Sequence, residues 1–299
     1  MEESMDLSGK AMVVTGASSG IGYATAAALA ARGAYVIGVG RDEARCDAAR
    51  EAIVTRSPQG RVDFCVADLS SQREIWRLAD DIESKLRDNK YSALDALINN
   101  AGAFSSYYVS TAEGFELQWA VNHLAPFLLT HALLPLLKKA PEGRVITVSS
   151  GSHYRCRIHW KDVQFRRRYR YLRAYKQSKL ANVLFTCELN RRMADTRVRA
   201  YAADPGLVNT EIGEKGTAGL ASLVWKRRRR HGATPEKGAA TSIYLAGAPT
   251  LSPHIYWKDC APKAPNPYGE DADAAGRLWA LSEQMCGICE YGTGKEEAI

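Results

Sequence analysis

The sequence predicts an α/β fold: a single doubly wound domain with a parallel sheet and a small substrate-side flap. Three observations carry this. Short β-branched runs alternate with helix-length stretches, the runs are apolar along their whole length, and a glycine-rich turn follows the first of them. Residues 11–15, 34–39, 61–66, 94–98, 143–149 and 198–203 read as strands, and 20–32, 42–56, 71–89, 112–139 and 174–194 carry helical composition and spacing. Strands without a polar face need helices on both sides of the sheet, joined by right-handed crossovers. A last helical piece, Asp271 to Met285, follows the Pro-rich stretch Ala261 to Pro267. No repeat, linker or composition step divides the chain, so residues 1–299 are predicted to be one dinucleotide-binding catalytic domain. Residues 209–231 fit the alternation poorly and are expected outside the sheet, as a substrate lid.

Composition agrees with one large domain: 299 residues, 46% hydrophobic and 24% charged, with no apolar run approaching the roughly 18 residues that cross a bilayer. Met1 to Ser8 is polar and acidic and leads straight into the first strand, which argues against a secretory leader and for the cytoplasm. Seven cysteines, an odd number, argue for reduced thiols. Cys286 and Cys289 form a CxxC without a second pair and cannot complete a tetrahedral zinc site, so no metal is expected. The net charge of +7 is local: Arg155 to Arg173 holds eight Lys/Arg and one acid, and Lys226 to Arg230 is wholly basic. The rest of the chain is net acidic, and neither basic segment carries a nucleic-acid docking motif, so nucleic acid is not an expected partner.

After the first strand comes Thr15-Gly16-Ala17-Ser18-Ser19-Gly20-Ile21-Gly22, opening an alanine-rich helix. Glycines there let the backbone approach a pyrophosphate, which the free N–H groups and positive end of the helix then hold. Many strand-to-helix turns carry glycine for steric reasons alone, but this one lies on the first strand and first helix, where dinucleotides bind. The second strand ends Gly38-Val39-Gly40-Arg41, with no acid to take the ribose hydroxyls. A guanidinium suits a 2′-phosphate, so NADP(H) is expected over NAD(H); a solvated charge offset by Asp42 is the alternative role for Arg41. Tyr175 and Lys179, four apart on a helix, share one face, and an ammonium beside a phenol lowers its pKa enough for proton exchange with an alcohol or carbonyl.

TGxxxGxG at 15–22, Asp68-Leu69, Asn99-Asn100-Ala101-Gly102, Asn122, Ser149-Ser150, YxxxK at 175–179 and Pro205-Gly206 occur in that order. Together they resemble the classical short-chain dehydrogenase/reductase family, which has a Rossmann domain. Val121-Asn122-His123-Leu124, Ser178 to Phe185 and Arg277-Leu278-Trp279 are similar to its retinol-dehydrogenase-like branch. The resemblance implies that Tyr175 is the general acid/base, that Lys179 lowers its pKa and holds the nicotinamide ribose, and that Ser150 hydrogen-bonds the substrate oxygen. It implies that Asn122 holds a relay water and that Gly16, Ser18, Ser19, Gly20, Ile21 and Gly22 cradle the phosphates. Asp68 and Leu69 would lie at the adenine, Asn100, Ala101 and Gly102 along the adenosine ribose, and Pro205, Val208 and Thr210 at the carboxamide end. Ser149 competes with Ser150; the second member of the pair is preferred, with a 25-residue gap to Tyr175 that suits the branch. Membrane-bound members carry an N-terminal apolar anchor, and none is seen before the first strand here.

Substrate is expected beyond the carboxyl ends of the strands, among 103–110, 151–173 and the flap. Phe104, Tyr107, Tyr108, Tyr154, Trp160, Phe165, Tyr169, Tyr171 and Trp225 lie there. They suit a lipophilic or ring-bearing ketone, aldehyde or alcohol, steroid-, retinoid- or aromatic-carbonyl-like, or else pack the insertion onto the body. His153 and His159 read as structural or solvent-facing, with no third ligand spaced beside them. Leu220, Leu223, Val224 and Trp225 beside the arginines allow weak peripheral contact with an acidic membrane surface, ordinary solvated helix ends being the simpler reading. The resemblance implies a homodimer or homotetramer through helices 112–139 and 174–194. The main expectation is therefore an NADP(H)-dependent oxidoreductase; the alternative is a catalytically silent NADP-sensing protein that uses its basic patches for a partner.

Overall fold

The computed structural model describes residues 5–208 and 232–288. The expected flap, with Thr210, Trp225 and the Lys226 to Arg230 run, and Cys289 lie outside them. Eight strands form one sheet in the order β3-β2-β1-β4-β5-β6-β7-β8. They are β1 (Ala11–Thr15), β2 (Tyr35–Gly40), β3 (Arg61–Val66), β4 (Ala96–Asn99), β5 (Arg144–Val148), β6 (Arg199–Asp204), β7 (Tyr256–Lys258) and β8 (Ala261–Pro262). The first seven pair in parallel and β8 is antiparallel to β7. Every residue of β1, β2, β4 and β5 is buried, as the unbroken apolar runs predict.

Side chains of period two divide between two cores. Val13, Ile37, Leu97 and Val145 face α3 (Gln72–Asp88), α4 (Leu117–Lys139) and α5 (Tyr171–Arg192). Met12, Val36, Ile98 and Ile146 face α1 (Gly20–Ala30) and α6 (Pro235–Gly247). Helix α3 shows how the sequence dictates its face: Ile75, Leu78, Ala79, Ile82 and Leu86 recur at helical spacing and are buried. The Ser71 hydroxyl accepts from Glu74 N–H to start it, and Lys85 and Arg87 lie in its last turn. Helix α2 (Glu43–Arg56) is likewise capped by Asp42. Sequence periodicity does not pick out α6 or the short β7 and β8, because α6 is built largely of small residues and β7 has three residues.

Helix α4 passes, by length and composition, the test for a segment able to cross a membrane, which the sequence reading had not expected. It is mostly buried inside the fold, the place of a core helix. A π turn, Ala120–Leu124, interrupts it and turns neighbouring side chains to opposite partners. Asn122 reaches the loop after β4, while His123 Nε2 meets Ser282 Oγ at 2.8 Å on α7 (Ala272–Met285). Ser282 Oγ donates to Leu278 O, so Nε2 of His123 is the donor. Burial holds that imidazole neutral, its pKa pushed down to about 3. Trp279 of α7 stacks on Phe185 at 5.9 Å, meets Phe127 edge-on at 4.9 Å and carries the Arg192 guanidinium at 4.6 Å. The branch-like motifs thus meet in space: they dock α7 onto α4 and α5, covering part of the apolar surface expected to pair subunits.

Trp279→Ala should lower the unfolding free energy by about 2 kcal/mol, less than a fully buried tryptophan loses, because the ring is partly exposed. Urea unfolding followed by circular dichroism measures it.

Candidate active site

The strand order reverses between β1 and β4, so the loops leaving them diverge and open a crevice at their carboxyl ends. Thr15 and Asn100 fix its walls. Thr15 Oγ1 accepts from the N–H groups of Asn100 and Ala101, both at 3.0 Å, and Asn100 Nδ2 donates to Thr15 O at 2.8 Å. The turn between them passes through Gly16 at φ 69° and Gly20 at φ 57°, which L side chains rarely adopt. A Cβ at Gly16 would lie 3.0 Å from both Ala101 Cα and Asn100 Nδ2, and one at Gly22 would collide with Gly16 O. Helix α1 begins at Ser19 without a side-chain cap and without an acid in its first turn. Its first N–H groups face the crevice side of a turn too close for any side chain, which fits a dinucleotide's pyrophosphate.

Around this crevice the structure gathers the chemistry. Ser149 Oγ, 1% exposed, donates to Lys179 O at 2.8 Å and is spent there. Ser150 Oγ takes Ser152 N–H at 3.1 Å and lies beside the Tyr175 hydroxyl, so the second serine is the one facing the site. Lys179 is buried, its Nζ donating to Val148 O at 2.9 Å and standing 5.9 Å from the Tyr175 ring centroid. Burial holds the Lys179 ammonium down to about 8. The Tyr175 phenol differs from the expectation: burial pushes it up to about 12, the Ser150 hydrogen bond pulls down and the Asp204 charge pushes up. Desolvation of the phenolate outweighs the Ser150 hydrogen bond. Asn122 spends its amide on the loop and helix: Oδ1 accepts from Ala103 N–H at 2.6 Å, and Nδ2 donates to Ala103 O and Ser178 Oγ, both at 3.0 Å.

The other expected residues lie along the same edge. Arg41 is exposed at the end of β2, with no hydrogen bond or ion pair among the described residues. Asp68 is exposed and accepts from Ser70 N–H, and Leu69 packs on the core. Gly206, at φ 73°, turns the chain after Pro205, and Val208 covers Gly238 of α6 together with Ile21 of the glycine turn. Thr210 is outside the described residues. Of the expected substrate-side aromatics, Phe104 meets Tyr175 at 5.4 Å and Tyr171 at 5.9 Å. Most of the rest pack the insertion: Tyr169 donates to Glu116, Trp160 to Tyr268, and Phe165 stacks on His159. His153 is fully buried and bridges Ser150 O to Asn266 N–H. Cys286, a buried free thiol, takes a long contact from Gln72 Nε2. Sequence reasoning missed Asp204; its signal was an acid closing the otherwise apolar run Tyr201-Ala202-Ala203 before the Pro-Gly turn.

The chain is similar to known proteins over most of its length. A family model described as short chain dehydrogenase matches residues 10–220. Human retinol dehydrogenase 12 is 39% identical over 95% of this chain and 88% of its own length, and human retinol dehydrogenase 13 is 38% identical over 94% and 85%. A crystal structure of a putative uncharacterized protein from Mycobacterium paratuberculosis superposes with a TM-score of 0.73 at 36% identity, covering 94% of this chain and 95% of that one. The cytoplasmic expectation is corrected: the relatives are retinol dehydrogenases, and α4 is by length and composition able to cross a membrane, so neither supports a cytoplasmic assignment. A polar first segment does not decide the compartment.

The unfolded chain keeps the Lys179 proton up to the ordinary lysine value of 10.5, while the folded chain releases it near 8. The folded state is therefore disfavoured below pH 8, and the penalty fades as pH rises toward 10.5. Without nucleotide, Lys179→Met should melt at a higher temperature than the unaltered chain below pH 8, by about 3 kcal/mol at most, with the gap closing by pH 10.5. Thermal melts at neutral and alkaline pH check this.

Proposed function

Since the chain belongs to the short-chain dehydrogenase/reductase family and is retinol-dehydrogenase-like, an oxidoreductase acting on CH–OH or C=O groups, we propose that it is NADP(H)-dependent and acts on a lipophilic, retinoid-like alcohol or aldehyde with Tyr175 as acid/base. The observation that carries this is the Ser150, Tyr175 and Lys179 group at the edge of a crevice whose other wall is an uncapped glycine turn. A bound nicotinamide supplies or takes the hydride. In reduction Tyr175 donates its proton to the carbonyl oxygen while Ser150 hydrogen-bonds that oxygen as charge develops on it. The phenolate left behind is stabilised by the Lys179 ammonium and regains a proton from solvent; oxidation runs the same steps backwards. Asn122 holds the loop at Ala103 against α5 and so keeps the tyrosine helix in register with the crevice. Gly16 to Gly22 hold the pyrophosphate and Arg41, without a hydrogen bond or ion pair among the described residues, takes the 2′-phosphate. Phe104 and Tyr171 beside Tyr175, with exposed Tyr107, Leu172 and Leu207, support an apolar substrate.

Tyr175→Phe should abolish retinal reduction, with NADPH affinity by fluorescence titration changed less than about threefold, because the lost hydroxyl moves only the proton; retention of near-normal turnover refutes the assignment. Arg41→Ala should weaken NADPH binding about tenfold or more and leave NADH nearly untouched, a loss of one charge-assisted phosphate contact. An equal effect on both nucleotides refutes the NADP(H) preference.

A further inference from the structure

Asp204 closes β6 and is 3% exposed. A carboxylate withdrawn from water must be hydrogen-bonded, and each oxygen has one neutral donor: Gly206 N–H on Oδ1 at 2.9 Å and the Tyr256 hydroxyl on Oδ2 at 2.8 Å. Among the described residues no Lys, Arg or His comes within ion-pair distance of it. An asparagine would give the Gly206 turn the same acceptor and spare the desolvation of a charge. What aspartate adds is the charge. Its location gives that charge a target: a Cβ at Gly151 would lie 3.3 Å from Oδ2, so the carboxylate abuts the backbone directly after Ser150.

We propose that Asp204 is a positioning residue of the proton-transfer site, acting through Tyr175: a negative charge beside the backbone that follows Ser150, which keeps the tyrosine in its proton-donating form. This rests on the reading of Tyr175 as acid/base. The direction in which the carboxylate moves its neighbours agrees, since it raises Tyr175, Tyr154, Tyr256 and His153 alike. The groups around the pair come from every packed element. Lys179 lies on the tyrosine's own helix, His153 and Tyr154 on the turn after β5, Tyr256 and Lys258 on β7, and Lys263, 5.1 Å from the Tyr154 ring, follows β8. Burial lowers His153, whose Nε2 accepts from Asn266 N–H while Nδ1 meets Ser150 O, so it stands neutral and tethers the serine loop. Lys179 Nζ stands 5.9 Å from the Tyr175 ring centroid, and Asp204 is the carboxylate beside the serine loop.

The test is Asp204→Asn, with Asp204→Ser as a second neutral variant and Tyr256→Phe as a control that keeps the charge. The alkaline limb of kcat for retinal reduction with NADPH is measured, together with the alkaline onset of the Tyr175 tyrosinate band, isolated by subtracting Tyr175→Phe in each background. Neutral variants with unaltered circular dichroism should shift both to lower pH by about half a unit or more, with kcat changed more than KM, while Tyr256→Phe leaves them at or above the unaltered chain's pH. An unmoved limb and onset in the folded neutral variant overturns the proposal, and so does a downward shift in Tyr256→Phe, which would make the effect one of packing. Should the unaltered chain reduce no carbonyl, the acid/base reading fails, and the tyrosinate onset alone still decides whether Asp204 sets the Tyr175 charge state.

Discussion

The hydrogen bonds joining Thr15 to Asn100 and Ala101 are the constraint on which the crevice depends. They tie the carboxyl end of β1 to that of β4, the two strands from which the sheet winds in opposite directions. With the loop after β4 fixed, its Ala103 backbone can be clamped by Asn122, and through Ser178 that clamp reaches the helix bearing Tyr175 and Lys179. A displaced Asn100 would release the glycine turn on one side and the tyrosine helix on the other. The glycine turn and the helix of Tyr175 and Lys179 are parts of one bonded frame.

The electrostatics of that frame are set more by dryness than by pairing. Lys179 donates to a backbone carbonyl, not to a carboxylate, and its ammonium is held near 8 by burial. Tyr175 is correspondingly hard to ionise, at about 12, because the same burial penalises phenolate. A site in this condition holds its proton until substrate and nucleotide rebalance the charge, and Asp204 strengthens that tendency.

Much of this was legible in the residues. Continuous apolar runs at 11–15 and 143–149 announced central strands because burial on both faces leaves no room for alternation. The glycine turn, the Tyr175–Lys179 spacing and the serine pair announced the site because turn geometry and helix periodicity are local. What was not legible depends on contacts distant in sequence. That the Ser149 hydroxyl turns to Lys179 O, 30 positions away, is one such contact. The upward push on Tyr175 comes from burial and from Asp204, which no spacing reveals, and the aromatic insertion gave no sign that Tyr169 and Trp160 would bind protein partners. Compartment was misjudged because the polarity of a first segment is not a property of the fold.

The π turn in α4 has a consequence for how the protein is made. Asn122 and His123 are aimed by the same extra residue in one turn, and His123 finds its partner in Ser282, 159 positions later. During synthesis the sheet and the glycine turn can assemble while that imidazole still has no serine to bond. The docking of α7 on the π turn is therefore a late, long-range closure of the kind that slows maturation and lengthens dependence on chaperones. A nascent chain stalled before residue 282 can hold most of its sheet and the Asn122 clamp, yet His123 lacks its serine partner.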